Sequence, residues 1–143
     1  MRTRSSPTAH LLIVEEDEEI RDFLLVLLAQ EHYRCAAAAS FEEALALLEE
    51  RRFDVILAEL LQARPGDLFR SARRFQFLAE PTPIALLTGW NVTQEEATGL
   101  GFVGLLSKPF DVDDLLAWLD DLVRQFTFHE AAACVRERAE LGS

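Results

Sequence analysis

Four short stretches carry the side chains suited to chemistry: Glu15-Glu16-Asp17, Glu59, Thr88-Gly89 and Lys108-Pro109. Each ends or closely follows a short apolar run, namely HLLIV, DVILA, IALL and VGLL. Carboxylates meeting a hydroxyl and a lysine at one rim suit phosphoryl chemistry: acids hold Mg²⁺, one acid accepts the phosphoryl group, and Thr and Lys bind its oxygens. Singly, each piece has a plain structural explanation. Acids after a strand favour the start of a helix, a threonine ends a strand edge, Lys-Pro makes a turn, and a lone glutamate is solvated. The information lies in their order and in their shared placement at the ends of strands.

The segments between these stretches explain how they come together. His10–Val14 is a buried-strand run, and from Ile20 the apolar positions Ile20, Phe23, Leu24, Leu27 and Leu28 follow helical spacing. Tyr33–Ala38 is a weaker strand. Ser40-x-x-Glu43 forms a capping box ahead of a helix with Phe41, Ala44, Leu45 and Leu48 on its inner face. Asp54–Leu57 is a strand running to Glu59. A loop at 62–67 then leads to a helix over about residues 68–78. Ile84–Thr88 and Val103–Leu106 are further strands, separated by a short helix with Thr93-x-x-Glu96 at its start and Gly99 and Gly101 at its end. Asp111 precedes a long amphipathic helix with Val112, Leu115, Leu116, Leu119, Leu122, Val123 and Phe126 on one face.

Five strand–helix units without a hairpin signal predict an α/β fold: a three-layer (βα)5 sandwich of the flavodoxin-like kind. Right-handed crossovers lead to a parallel sheet of order 2-1-3-4-5. Its crevice lies at the carboxyl ends of strands 1 and 3, where the strand order reverses. That geometry points to Glu15, Glu16 and Glu59.

With 143 residues, the chain suits one domain. We read residues 1–9 as a disordered leader, 10–127 as the domain, and 128–143 as an extension, either one more helix or a frayed terminus. The 25 acidic against 14 basic side chains, a net charge of −11, argue against general nucleic-acid binding. A protein with a basic surface remains a suitable partner. Cys35 and Cys134 are far apart and read as reduced thiols, and His10, His32 and His129 fall in separate segments, which disfavours a shared metal site. No apolar run approaches the roughly 18–20 residues needed to span a bilayer. The expected location is cytoplasmic.

LLIVEEDEEIRDFL, DVILAEL, PIALLTG and LLSKPFDVDDLLAWL closely resemble the conserved blocks of response-regulator receiver domains in two-component phosphorelay signalling. The resemblance spans His10 to Val123. It implies that Glu15 and Glu16 stand at the Mg²⁺-binding acidic pair, with Glu59 at the phospho-acceptor position. It likewise places Thr88 at the switch hydroxyl and Lys108 at the lysine that binds phosphoryl oxygens. It also implies a cis peptide bond before Pro109.

Three departures qualify what the resemblance implies. The family has aspartate where Glu59 stands, and the extra methylene moves the carboxylate outward by roughly 1.5 Å. An error near 1 Å can slow positioned chemistry by about 100-fold. Glu16 is also longer than the usual acid there, so Glu15, Glu16 and Glu59 make a crowded, weakened Mg²⁺ site. Leu105 replaces the usual aromatic switch residue, and a leucine does not reproduce the aromatic ring's inward rotation toward Thr88.

The expected function is therefore an atypical stand-alone receiver, a pseudo-receiver acting through protein contacts without conventional aspartate phosphorylation and without being an enzyme. Its partner is a kinase or a downstream signalling protein. A homodimer would form through the face of helix 4, strand 5 and helix 5, with Trp90, Trp118 and Phe126 as interface residues; for Trp118, half-buried packing is the competing explanation. The alternatives are a receiver that binds Mg²⁺ and is phosphorylated on a nearby acid or on Glu59, and, more remotely, a flavodoxin-like enzyme. Against the enzyme, acids stand after strand 1 where a glycine-rich phosphate loop belongs.

Overall fold

The computed structural model describes residues 9–59, 73–88 and 92–141, with side chains as far as residue 126. The elements in chain order are β1 (His10–Val14), α1 (Glu18–Gln30), β2 (Arg34–Ala38), α2 (Phe41–Glu50), β3 (Val55–Glu59), a helical segment α3 at 73–79, β4 (Ile84–Thr88), α4 (Gln94–Gly99), β5 (Gly104–Ser107) and α5 (Val112–Leu141). All strand pairs are parallel, in the order β2-β1-β3-β4-β5. This is the flavodoxin-like α/β sandwich expected from the alternation of elements.

Alternating side chains of each strand feed two separate cores. Leu12, Ile56, Leu86 and Leu105 pack toward Ala44, Phe75 and Ala97 of α2, α3 and α4. Leu11, Ile13, Leu57 and Leu87 pack toward Leu24, Leu28, Leu115 and Leu119 of α1 and α5. Coverage on both faces is why β3 and β4 read as unbroken apolar runs and are buried throughout. β2 is an edge strand, and its weak sequence signal matches its largely half-exposed RCAAA.

The helix starts were written locally. The Asp17 carboxylate accepts from the Ile20 amide at 3.1 Å and caps α1. At α4, Thr93 Oγ1 accepts from the Glu96 amide and Glu96 Oε1 accepts from the Thr93 amide, a complete capping box. At α2, Ser40 Oγ accepts from the Glu43 amide, but the Glu43 carboxylate accepts from the Ala39 amide at 2.6 Å, one residue upstream of the expected partner.

Strand boundaries shift by one residue, β3 beginning at Val55 rather than Asp54. β2 begins at Arg34 rather than Tyr33, and β5 lies one residue later than expected. The helix predicted from about residue 68 is described only from residue 73; its beginning and the loop at 62–67 lie outside the described residues. The largest difference concerns the C-terminal extension. Helix α5 continues unbroken to Leu141, so residues 128–141 prolong it rather than forming a separate helix. No glycine or proline interrupts the run from Val112 to Leu141, and nothing in the sequence stops it.

Helices α1 and α4 end in the same way. After α1, the Tyr33 amide donates to the Leu28 carbonyl at 3.1 Å and the His32 amide to the Ala29 carbonyl at 3.0 Å. After α4, Phe102 and Gly101 make the matching bonds to Ala97 and Thr98. This double bond pattern places the first residue past the helix in the left-handed region. Gly101 occupies it at φ 92°, whereas His32 occupies it at φ 68° with a side chain attached. His32→Gly is therefore expected to stabilise the domain by about 1 kcal/mol, seen as a higher urea midpoint at unchanged slope. No gain would show that His32 makes a compensating contact.

Candidate functional site

The strand ends deliver the site as the topology requires. Glu15 directly follows β1, Glu59 ends β3, Thr88 ends β4 and Lys108 directly follows β5. Glu15, Glu59 and Thr88 are buried. Backbone bonds fix their relative positions: the Glu15 amide donates to the Ala38 carbonyl at 3.0 Å, and the Lys108 amide to the Thr88 carbonyl at 2.8 Å. The Lys108–Pro109 bond is cis, as the sequence resemblance implied.

Glu59 and Lys108 form an ion pair, with Oε2 and Nζ 2.6 Å apart. The carboxylate side chain is 2% exposed and the lysine 24% exposed. A charge so withdrawn from water is tolerated because its partner is at contact distance. The Lys108 ammonium is thus engaged by the Glu59 carboxylate.

Glu15 is held differently. Its Oε1 accepts from the Asp17 amide at 3.2 Å, while Oε2 is buried without a hydrogen-bond partner among the described residues. Burial pushes its carboxyl above the ordinary value of 4.5, against the stabilising Asp17 amide and Lys108 charge; Asp17 and Glu16 push it further up. The folded protein therefore holds this proton more tightly than the unfolded chain. The resulting stability is fully present below pH 4.5 and is lost as pH rises through the folded value. In urea titrations across that range, Glu15→Gln is expected to flatten the decline. An unchanged slope would remove Glu15 as its source.

The expected Mg²⁺ trio is not assembled as ligands. Glu16 is exposed, its neighbour Glu15 is turned inward, and Glu59 leans on Lys108. Among the described residues, no group of three Asp, Glu, His or Cys side chains is placed to hold a metal ion. The unpartnered Glu15 oxygen is a feature that suits a cation, but one acid does not make a site. The residues as placed do not fit Mg²⁺ bound by all three glutamates.

Leu105 lies in the core beneath α4, grouped with Leu86, Val92, Ala97 and Phe102. Of the expected interface residues, Trp118 and Phe126 are half-buried against the α1/α5 core. A Cβ on Gly104 would come within 3.3 Å of Trp118 Cζ2, so the indole rests directly on β5. Trp118 thus has a packing role whatever else it does. Trp90 lies outside the described residues, as does the side chain of Cys134. Cys35 is a free thiol, and burial raises its pKa to about 11.

Two contributors went unrecognised in the sequence. Arg21 donates through Nη1 to the Glu15 carbonyl at 2.9 Å and the Glu16 carbonyl at 3.3 Å, tying the acidic turn to α1. Gln94 Nε2 donates to the Leu105 carbonyl at 2.7 Å. Both bond to main chain, which carries no residue-type signal; only Arg21's helical position close behind the acidic turn hinted at its reach.

The response regulator receiver domain profile matches residues 11–120. The chain belongs to the response-regulator receiver family. Among its relatives, protein PetR of Rhodobacter capsulatus is 32% identical over 123 residues, which is 85% of this chain and 51% of that protein. Transcriptional regulatory protein AfsQ1 of Streptomyces coelicolor is 38% identical over 91 residues, 63% of this chain and 39% of that protein. This receiver thus spans about half the length, or less, of these relatives. The solved chemotaxis protein CheY4 of Vibrio cholerae superimposes with a TM-score of 0.68 at 29% identity, covering 81% of this chain and 99% of that one. NtrX from Brucella abortus shares the fold at 19% identity, with a TM-score of 0.77 over 94% of this chain and 30% of that one. The protein is accordingly a receiver domain of a two-component response regulator. No helix among the described residues is long and apolar enough to cross a membrane.

Proposed function

We propose that this receiver works as a non-enzymatic protein-interaction module in cytoplasmic two-component signalling, in a state set by the Glu59–Lys108 pair rather than by aspartate phosphorylation. The observation that carries the proposal is the 2.6 Å contact between Glu59 Oε2 and Lys108 Nζ. It supplies one negative charge where a phosphoryl group would bring about −1.5 to −2. It also takes up the lysine that would otherwise neutralise the incoming phosphate. Output would pass through the face of α4, β5 and α5, to a downstream protein, a kinase or a second copy of the chain.

The test is mass spectrometry of the full chain after incubation with acetyl phosphate and Mg²⁺. The wild type is expected to remain unmodified, and Glu59→Asp, which withdraws the carboxylate by about one C–C bond, to accept a phosphoryl group about 100-fold faster. A phosphoryl adduct mapped to Glu59 in the wild type overturns the proposal. An adduct on a neighbouring acid, such as Asp17, would instead favour a receiver with a displaced acceptor.

A further inference from the structure

Among the described residues, strand β5 is an edge of the sheet and pairs with β4 alone. In a parallel pair the main-chain groups of successive residues point alternately toward the neighbouring strand and away from it. The Val103 amide donates to the Ile84 carbonyl and the Lys108 amide to the Thr88 carbonyl, and between them the Leu105 carbonyl turns to α4 at the open edge. There the Leu105 carbonyl accepts from Gln94 Nε2 at 2.7 Å. Gln94 is the first residue of α4, directly after the Thr93 cap. Leu105 is therefore held twice: its side chain is 3% exposed beneath α4, and its carbonyl is tied to the start of that helix.

We propose that Gln94 is a positioning residue that pins α4 to the open edge of β5 and presets the α4–β5 face in one arrangement. The six-residue α4 is also seated by Ala97 and by the flanking Val92, Leu100 and Phe102, which pack into the core beneath it. Its capping box orders the helix internally without attaching it to the sheet. The side-chain amide adds a hydrogen-bonded attachment, at the residue whose movement would reshape the face. The inference stands on the contact geometry and does not depend on how Glu59 reacts.

The experiment is amide hydrogen exchange by NMR on the full chain, comparing wild type with Gln94→Ala and Gln94→Glu. Ala97, Leu100 and Phe102 report on α4, and Leu12 and Leu57 on the central strands. Losing one such bond is expected to speed α4 exchange by about fivefold in both variants, leaving the central strands unchanged. Gln94→Glu separates attachment from helix stability. A carboxylate in the first turn interacts favourably with the helix N-terminus, which by itself would slow exchange, yet it has no proton to donate to the carbonyl. Faster α4 exchange in Gln94→Glu supports the latch. Exchange equal to or slower than wild type overturns it.

Discussion

Replacing Lys108 by methionine is expected to destabilise the domain by about 3 kcal/mol at neutral pH, near the low end for breaking a buried pair. The loss comes from the acid left behind. Glu59 is 2% exposed in its side chain and faces the ammonium at 2.6 Å. Without that cation its charge stays in a place water scarcely reaches. The lysine is 24% exposed, so solvent already screens part of the attraction, which keeps the figure from rising higher. In the variant the deficit comes from a buried carboxylate that has lost its lysine. Adding Glu59→Gln should recover much of the loss at neutral pH by the same reasoning. Urea unfolding of the four members of this double-mutant cycle measures the coupling. A Lys108→Met protein within about 0.5 kcal/mol of wild type would mean that the pair does not hold the site together.

Leu119→Ala should cost about 3–4 kcal/mol. Leu119 is fully buried on α5 and shares its cluster with Leu57 and Leu87 of the central strands. Its removal leaves a cavity beneath β3 and β4, the strands that end in Glu59 and Thr88. Leu116, one turn position away and only half-buried, provides the contrast, with about 1–2 kcal/mol expected for the same truncation. Chemical denaturation distinguishes the two. Similar costs would show that α5 is seated in a different rotation from the one described.

The seating of α5 also illustrates how far local pattern reaches. The spacing predicts a buried face of Val112, Leu115, Leu116, Leu119, Leu122, Val123 and Phe126; Leu115, Leu119, Leu122 and Val123 are buried against the sheet, Leu116 and Phe126 are half-buried, and Val112, in the first turn, is 39% exposed. The same pattern left Trp118 between an interface and a packing role. Its contact with β5 depends on Gly104 being opposite, a pairing across distant chain segments that no helical periodicity encodes. Likewise, the run from Val112 onward contains no helix breaker, but whether residues 128–141 would stand apart or prolong α5 was not written in composition.

By itself the sequence determined the strand and helix order, the parallel 2-1-3-4-5 sheet and the meeting of Glu15, Glu59, Thr88 and Lys108 at one rim. These follow from hydrophobic period, local caps and the handedness of crossovers, all of which act over short stretches of chain. Glutamate at position 59 was equally plain, though only as an acid displaced outward by one methylene. Tertiary structure decided where the acids sit: the Glu59 carboxylate lies on Lys108, Glu15 is buried with one oxygen unpartnered among the described residues, and Glu16 faces solvent. It also decided that Gln94 reaches the carbonyl of Leu105. Such contacts join residues far apart in the chain at ångström separations, and only the packed cores beneath them set those distances.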